Sequence, residues 1–130
     1  MTNRGCWIGV AALVAASGAG CDSPSTPAPP PPRTLVRPIQ IESVDVVVAP
    51  APSAHVRGVI GDGCTELGGI TTRRGSENDI SITILSERPE GAICIQIARL
   101  YDATLALPGD YPPGQYVLRV NSVEKTFTVP

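Results

Sequence analysis

The chain has 130 residues, 42% hydrophobic but only 4% aromatic, with a formal net charge of −2. That length supplies one domain. The mild acidity argues against a nucleic-acid partner, which requires a basic patch. Gly and Pro contribute 13 and 14 residues, and their uneven placement divides the chain.

Residues 1–20 have the pattern of a signal peptide. Arg4 supplies the positive end, Cys6 to Ala16 (CWIGVAALVAA) a short apolar stretch, and Ser17 to Gly20 the small residues that cleavage requires. The apolar run is short for a membrane span, which takes about 20 residues. Cys6 is expected to leave with the signal. Three cysteines then remain, and Cys21 is the odd one.

Asp22 to Pro38 (DSPSTPAPPPPRTLVRP) follows, rich in Pro and Ser. Proline fixes φ and lacks an N–H, so this stretch favours extended polyproline II over packed structure. Residues 21–38 are therefore expected to form a disordered linker that spaces a domain of residues 39–130 from its attachment point.

That domain reads as all-β. Ile39–Glu42 alternates, and Val44–Ala49 is a β-branched run ended by Pro50 and Pro52. Ala54–Ile60 places Val56 and Ile60 on one face and His55, Arg57 and Val59 on the other. Gly61-Asp62-Gly63 turns into Cys64, and Leu67–Arg74 is a weaker strand before the polar stretch to Asn78. Asp79–Glu87 alternates with Ile80, Ile82 and Ile84 on one side. Ala92–Leu100 is expected as a strand with Ile93, Ile95 and Ile97 in register, and Thr104–Leu107 as a short one. Gln115–Asn121 carries Tyr116, Leu118 and Val120 on one face. After an Asn121-Ser122 turn, Glu124–Val129 alternates around Phe127. Seven or eight short strands with regular turn signals and no helix predict a small antiparallel β-sandwich or barrel.

Cys64 and Cys94 lie within this strand-rich stretch. A zinc site needs more ligands: there is no CxxC, and His55 is the only histidine. A redox dithiol usually has close cysteine spacing. A structural disulfide is the expectation, against the alternatives of two free thiols or half a metal site. Cys64 follows a turn, and Cys94 points opposite to Ile93, Ile95 and Ile97. With the Ile face in the core, the bridge belongs at the rim or outer face.

No catalytic constellation emerges, and neither a cofactor nor a metal site is expected. His55 reads as an exposed strand residue. Asp62, Glu66, Glu77, Asp79, Glu87 and Glu90 fall mostly in turns, where short acidic side chains make local hydrogen bonds. Glu77-Asn78-Asp79 lacks the DxDxDG type of calcium loop.

Three stretches carry family resemblances. Gly18-Ala19-Gly20-Cys21 resembles the lipobox of bacterial lipoproteins, with Gly18 standing where an aliphatic residue is usual. The resemblance implies that Cys21 is lipidated and becomes the first mature residue, holding the chain to membrane lipid at the bacterial cell envelope, in the periplasm or at the cell surface. Leu107-Pro108-Gly109 through Gly114-Gln115-Tyr116 resembles the corner before the penultimate strand of immunoglobulin-like and fibronectin type III sandwiches. It implies an Ig-like fold in which the Tyr116 hydroxyl bonds back to upstream backbone. Gly61 to Thr65, the Cys94 segment and Pro113 to Asn121 together resemble a domain of uncharacterised bacterial lipoproteins, which implies an extracytoplasmic β-sandwich and carries no activity.

The expected function is non-catalytic binding or display, toward a protein or envelope polymer. The alternative is a protease inhibitor acting through the Arg73–Asn78 and Pro108–Gly114 loops.

Overall fold

The computed structural model describes residues 24–130. The signal segment, the lipobox and Cys21 lie outside the described residues. Residues 24–30 carry no regular secondary structure, and the sandwich is built from Pro31–Pro130.

Eight strands form two sheets, with no helix among the described residues. They are β1 (Thr34–Pro38), β2 (Gln40–Val47), β3 (Ser53–Gly61), β4 (Glu66–Arg74), β5 (Asp79–Pro89), β6 (Arg99–Ala106), β7 (Gly114–Val120) and β8 (Val123–Val129). Strands β2, β3 and β6 make the smaller sheet in that order. The larger sheet is organised by β5, the longest strand, with β4 along one edge. The other edge is shared. β7 takes the first half, Asp79↔Val117 to Ile82↔Val120, and β1 takes the second, Pro38↔Leu85 to Thr34↔Pro89. β8 then pairs with β7. The β5–β7 pairing is parallel, and every other pairing is antiparallel.

The alternating sequences face as their period requires. Ile80, Ile82 and Ile84 of β5 meet Tyr116, Leu118 and Val120 of β7 in one buried layer, each at most 2% exposed. Val56 and Ala54 of β3 close the core from the opposite sheet. The two expected runs Ile39–Glu42 and Val44–Ala49 prove to be one strand, β2, over Gln40–Val47, with a bulge where the register shifts between Ile41 and Ser43.

Three expectations are corrected. β1 lies inside the stretch expected to be linker over 21–38. Its residues Thr34–Pro38 pair with β5 across the full strand, because Thr34 to Arg37 carry the backbone N–H groups that the preceding prolines lack. Ala92–Ala98 is not a strand; regular pairing resumes only at Arg99, and β6 then runs unbroken through Asp102. Ile93, Ile95 and Ile97 are not in the core. They are 102%, 71% and 60% exposed. Alternation is necessary for a half-buried strand, but it does not supply a neighbouring edge to pair with.

One buried polar atom among the described residues lacks a partner, the Tyr101 hydroxyl on β6. Burial pushes its pKa above the ordinary phenol value. An unmatched buried hydroxyl carries a desolvation penalty of roughly 1–3 kcal/mol. Tyr101→Phe is therefore expected to match or exceed the wild type in urea midpoint. A clear loss of stability in that variant would show that the hydroxyl is hydrogen-bonded, for example to a buried water.

Candidate functional site

Strand direction defines two poles. The end of β5 meets the start of β1, and the β3–β4 and β5–β6 connections gather there. The start of β5, the β4–β5 turn and the β6–β7 loop lie at the other pole.

The first pole carries the cysteines. Cys64 and Cys94 form a disulfide with Cα atoms 5.5 Å apart, closing 30 residues of chain. Both lie in connections rather than strands, so the bridge joins two loops at the rim and does not cross the core. This rim position arises with the isoleucines turned outward, because the loop as a whole stands clear of the sheet and Cys94 is its inward-facing member.

Asp62 organises the pole. Its Oδ1 accepts from the Thr65 hydroxyl at 2.8 Å and from the Cys64 amide at 3.1 Å. Its Oδ2 accepts from Arg88 Nε at 3.0 Å. The same guanidinium donates to the Ala92 carbonyl at 3.0 Å and approaches Cys94 Sγ at 3.5 Å. Arg99 donates to the Thr65 carbonyl at 2.8 Å. One carboxylate thus ties both cysteine loops to β5. A groove of about 480 Å³ lies beside it, bordered by Arg37, Ile60, Asp62, Thr65, Arg88 and Gln96 among others.

The Thr65 hydroxyl, with the Cys64 amide and Arg88, holds the Asp62 carboxyl below its ordinary value of 3.8 against the opposing effect of burial. A carboxyl with a depressed folded-state pKa stabilises the fold fully above its unfolded pKa, and the contribution disappears as pH falls through the folded value. Wild type is therefore expected to be more stable than Asp62→Asn at neutral pH, with the gap closing below pH 3.8. Paired denaturation curves across pH check this; a gap that stays constant into acid would remove the carboxylate from the account.

The second pole brings together the two loops proposed for an inhibitor. The Arg74 guanidinium sits 4.3 Å from the Tyr111 ring centroid and donates to the Asp110 carbonyl at 3.0 Å. Asn78 donates to the Gln115 carbonyl at 3.1 Å. Tyr111 meets Tyr116 edge-on at 5.2 Å, and Tyr116 stacks on Phe127 at 5.4 Å. The Tyr116 hydroxyl donates to the Pro112 carbonyl at 2.7 Å, four residues upstream. Glu77 and Asn78 both adopt positive φ, 57° and 66°, which tightens the β4–β5 turn.

His55 lies outside both poles, on the outer face of the smaller sheet. Its Nε2 is 2.6 Å from Asp102 Oδ1, and Arg57 is 3.6 Å from the other oxygen of that carboxylate. Among the described residues no cluster of three or more His, Cys, Asp or Glu side chains could hold a metal. Nor is any helix among them long and apolar enough to cross a membrane.

Sequence reasoning singled out the cysteines and Tyr116 but treated Asp62 as an ordinary turn residue. The signal for Asp62 was its spacing: an acidic residue two before Cys64 and three before Thr65 is placed to cap that turn.

Fold and site together define a small β-sandwich with a disulfide at one rim and an aromatic–arginine cluster at the other. The chain belongs to the ORF11 beta-sandwich domain family, whose model matches residues 54–129. It is similar to an uncharacterized 10.2 kDa protein from the HgiCIIM 5′ region of Herpetosiphon aurantiacus, 30% identical over 93 residues, covering 68% of this chain and 98% of that protein. The corresponding protein from the HgiBIM 5′ region of the same organism is 28% identical over 79 residues, covering 60% of this chain and 94% of the relative. No solved structure matches significantly.

Proposed function

We propose that the chain is a non-catalytic, membrane-anchored extracytoplasmic module, held to lipid through Cys21, that binds or displays at the bacterial cell envelope. The observation that carries this reading is the Cys64–Cys94 bridge. Disulfides persist mainly in oxidising compartments outside the cytosol. The bridge also removes two of the four cysteines from the tally and leaves Cys6, inside the apolar leader, and Cys21, directly behind it. The partner is a protein or an envelope polymer. The surface offered to it is the pole of Arg74, Asp110 and Tyr111, at the opposite end of β5 from where the chain enters at Thr34. Arginine and tyrosine are the side chains over-represented at protein contacts.

Detergent-phase partition tests the anchor. Wild type expressed in a Gram-negative host is expected in the Triton X-114 detergent phase, and Cys21→Ser in the aqueous phase. Both proteins in the aqueous phase would end the lipid-anchor reading.

A second reading has one observation in its favour. Arg73 and Arg74 prove to be the end of β4 and Gly114 the start of β7, but the 75–78 turn and the 107–113 loop lie side by side and are braced through Arg74 and Asn78, as an inhibitor's insertion loops need to be. If this pole inhibits trypsin-like proteases, substoichiometric protein slows hydrolysis of a small trypsin substrate. Unchanged hydrolysis at excess protein, or simple cleavage at Arg73-Arg74, sets that reading aside.

A further inference from the structure

We propose that the loop Ile93–Ile97, together with Leu100, docks on the surface of the lipid bilayer to which the chain is anchored; this rests on the lipid-anchor reading above.

The loop is an unusual way to spend isoleucine. Ile93, Ile95, Ile97 and Leu100 are 102%, 71%, 60% and 72% exposed, four large apolar side chains within eight residues. The patch continues onto the smaller sheet. Ile97 and Val59 border one shallow groove, and Leu100 pairs directly with Val59 in the β3–β6 register. Contiguous exposed apolar surface of this kind marks a contact site.

The exposure is built in. Cys94 is bridged to Cys64, Gly63 donates to the Ile95 carbonyl at 3.0 Å, and Arg88 donates to the Ala92 carbonyl at 3.0 Å. These ties hold the alternating segment by its cysteine face and direct the isoleucines outward. A loop fixed in its contact conformation has less ordering entropy to lose on docking.

The route of the chain selects the bilayer as the occupant. β1 begins beside the end of β5, with Thr34 opposite Pro89, and the Glu90 amide donates to the Arg33 carbonyl at 2.7 Å. The polypeptide arriving from Cys21 therefore enters at the root of the isoleucine loop. Cys21 precedes Arg33 by twelve residues. At the polyproline rise that stretch reaches roughly 37 Å at most, so the pole is always within reach of the membrane. Tethering over such a distance gives an effective concentration in the millimolar range, enough to make a weak contact persistent.

The patch is aliphatic and contains none of the Tyr, Trp or Arg side chains that form most hot spots of protein contacts; the route of the chain, not composition, selects the bilayer. Tyr111 and Tyr116 belong to the opposite pole, and Tyr101 is buried. Arg33, Arg37, Arg88 and Arg99 stand at this pole with Asp62, Glu66, Glu87 and Glu90, so its charges balance. The contact is therefore apolar and indifferent to headgroup charge and salt. Its depth is limited: residues 92–98 lack regular backbone pairing, and unpaired backbone groups do not enter the hydrocarbon core. The side chains reach past the headgroups while the backbone stays in the interface.

The test uses the full chain purified from membranes and reconstituted in phosphatidylethanolamine/phosphatidylglycerol vesicles with or without brominated acyl chains. Ile95→Trp supplies the probe, because the one tryptophan, Trp7, lies in the segment expected to be removed. Thr128→Trp, at the far end of β8, is the control. Intact mass first establishes whether Cys21 carries lipid. For lipidated protein the expected result is blue-shifted emission and several-fold stronger bromolipid quenching at position 95 than at 128, unchanged in 0.5 M salt (roughly a 4–5 Å Debye length). Adding Ile93→Ser and Ile97→Ser is expected to abolish the difference. Lipidated protein whose indoles at 95 and 128 are equally open to aqueous iodide and equally spared by bromolipid would overturn the proposal. So would a blue shift that grows with protein concentration but is insensitive to bromolipid, which assigns the loop to a second copy of the chain. A mass without lipid defeats the anchor reading instead. The loop is then judged on soluble protein added to the same vesicles, where absence of bromolipid quenching at 95 overturns docking as well.

Discussion

Asn121→Ala is expected to destabilise the domain by about 3–4 kcal/mol, from three lost side-chain hydrogen bonds and one stranded amide. The position matters because the edge of β5 is divided between two strands. β7 pairs as far as Ile82, β1 begins at Leu85, and Ile84 faces the gap. Asn121 fills it. Its backbone N–H donates to the Ile82 carbonyl at 3.0 Å, and its side-chain oxygen accepts from the Ile84 amide at 2.8 Å. Its amide nitrogen donates to the Ile84 carbonyl at 3.0 Å and to the Ile39 carbonyl at 2.8 Å. The last bond holds the point where the chain leaves the larger sheet at β1 and enters the smaller at β2. Ile84 is fully buried behind Asn121, so without this side chain its N–H loses its protein partner.

Two further substitutions separate the causes. Asn121 has φ of 50°, a conformation asparagine tolerates and glycine prefers. If backbone geometry alone fixed the residue, Asn121→Gly would be neutral or stabilising. The hydrogen-bond account predicts a loss of at least ~2 kcal/mol. Asn121→Asp keeps the acceptor for Ile84 but turns a carboxylate toward two carbonyl oxygens, and is expected to be no better than alanine at neutral pH. Urea unfolding of the three variants provides the comparison.

Removing the disulfide is the second large effect. A bridge closing about thirty residues contributes roughly 3–4 kcal/mol on the chain-entropy model. Cys64→Ser with Cys94→Ser is expected to lower stability by that amount, a substantial part of the ~5–15 kcal/mol typical of a small domain. The strands should survive, because neither cysteine lies in one. The expected signature is therefore a lower urea midpoint with native-like far-ultraviolet circular dichroism before the transition. The loop itself should loosen, as Asp62 and Arg88 lose the geometry that the bridge imposes on Cys64 and Ala92. A double variant as stable as wild type would mean that the Asp62–Arg88 network holds the pole unaided.

The sequence makes some of this fold legible and conceals the rest for identifiable reasons. β5, β7 and β8 are visible because one sheet face is buried and the other solvated, so the period-two pattern of Ile80-Ile82-Ile84 and Tyr116-Leu118-Val120 is unbroken. The same pattern misleads at Ile93-Ile95-Ile97, where a covalent tie at Cys94 replaces pairing and reverses which face is wet. β1 is hidden because Thr34–Pro38 is short, follows a proline run and itself ends in Pro38, with nothing in its own composition to announce a partner strand as distant as Leu85–Pro89. The two cysteines identify one pole. Asp62 and Asn121 do not identify themselves, because their roles depend on which backbone edges the tertiary fold leaves open. The aromatic cluster was legible through Tyr116 alone; that Arg74 reaches Tyr111 and Asp110 follows from the meeting of two loops 30 and more residues apart.

The most direct test of an anchored, clasped module is the intact mass of mature protein taken from the membrane fraction, measured before and after reduction. The account predicts a chain starting at a diacylated Cys21 that gains two hydrogens on reduction as Cys64 and Cys94 open. A soluble, unlipidated chain whose mass does not change on reduction would contradict both the anchor and the clasp.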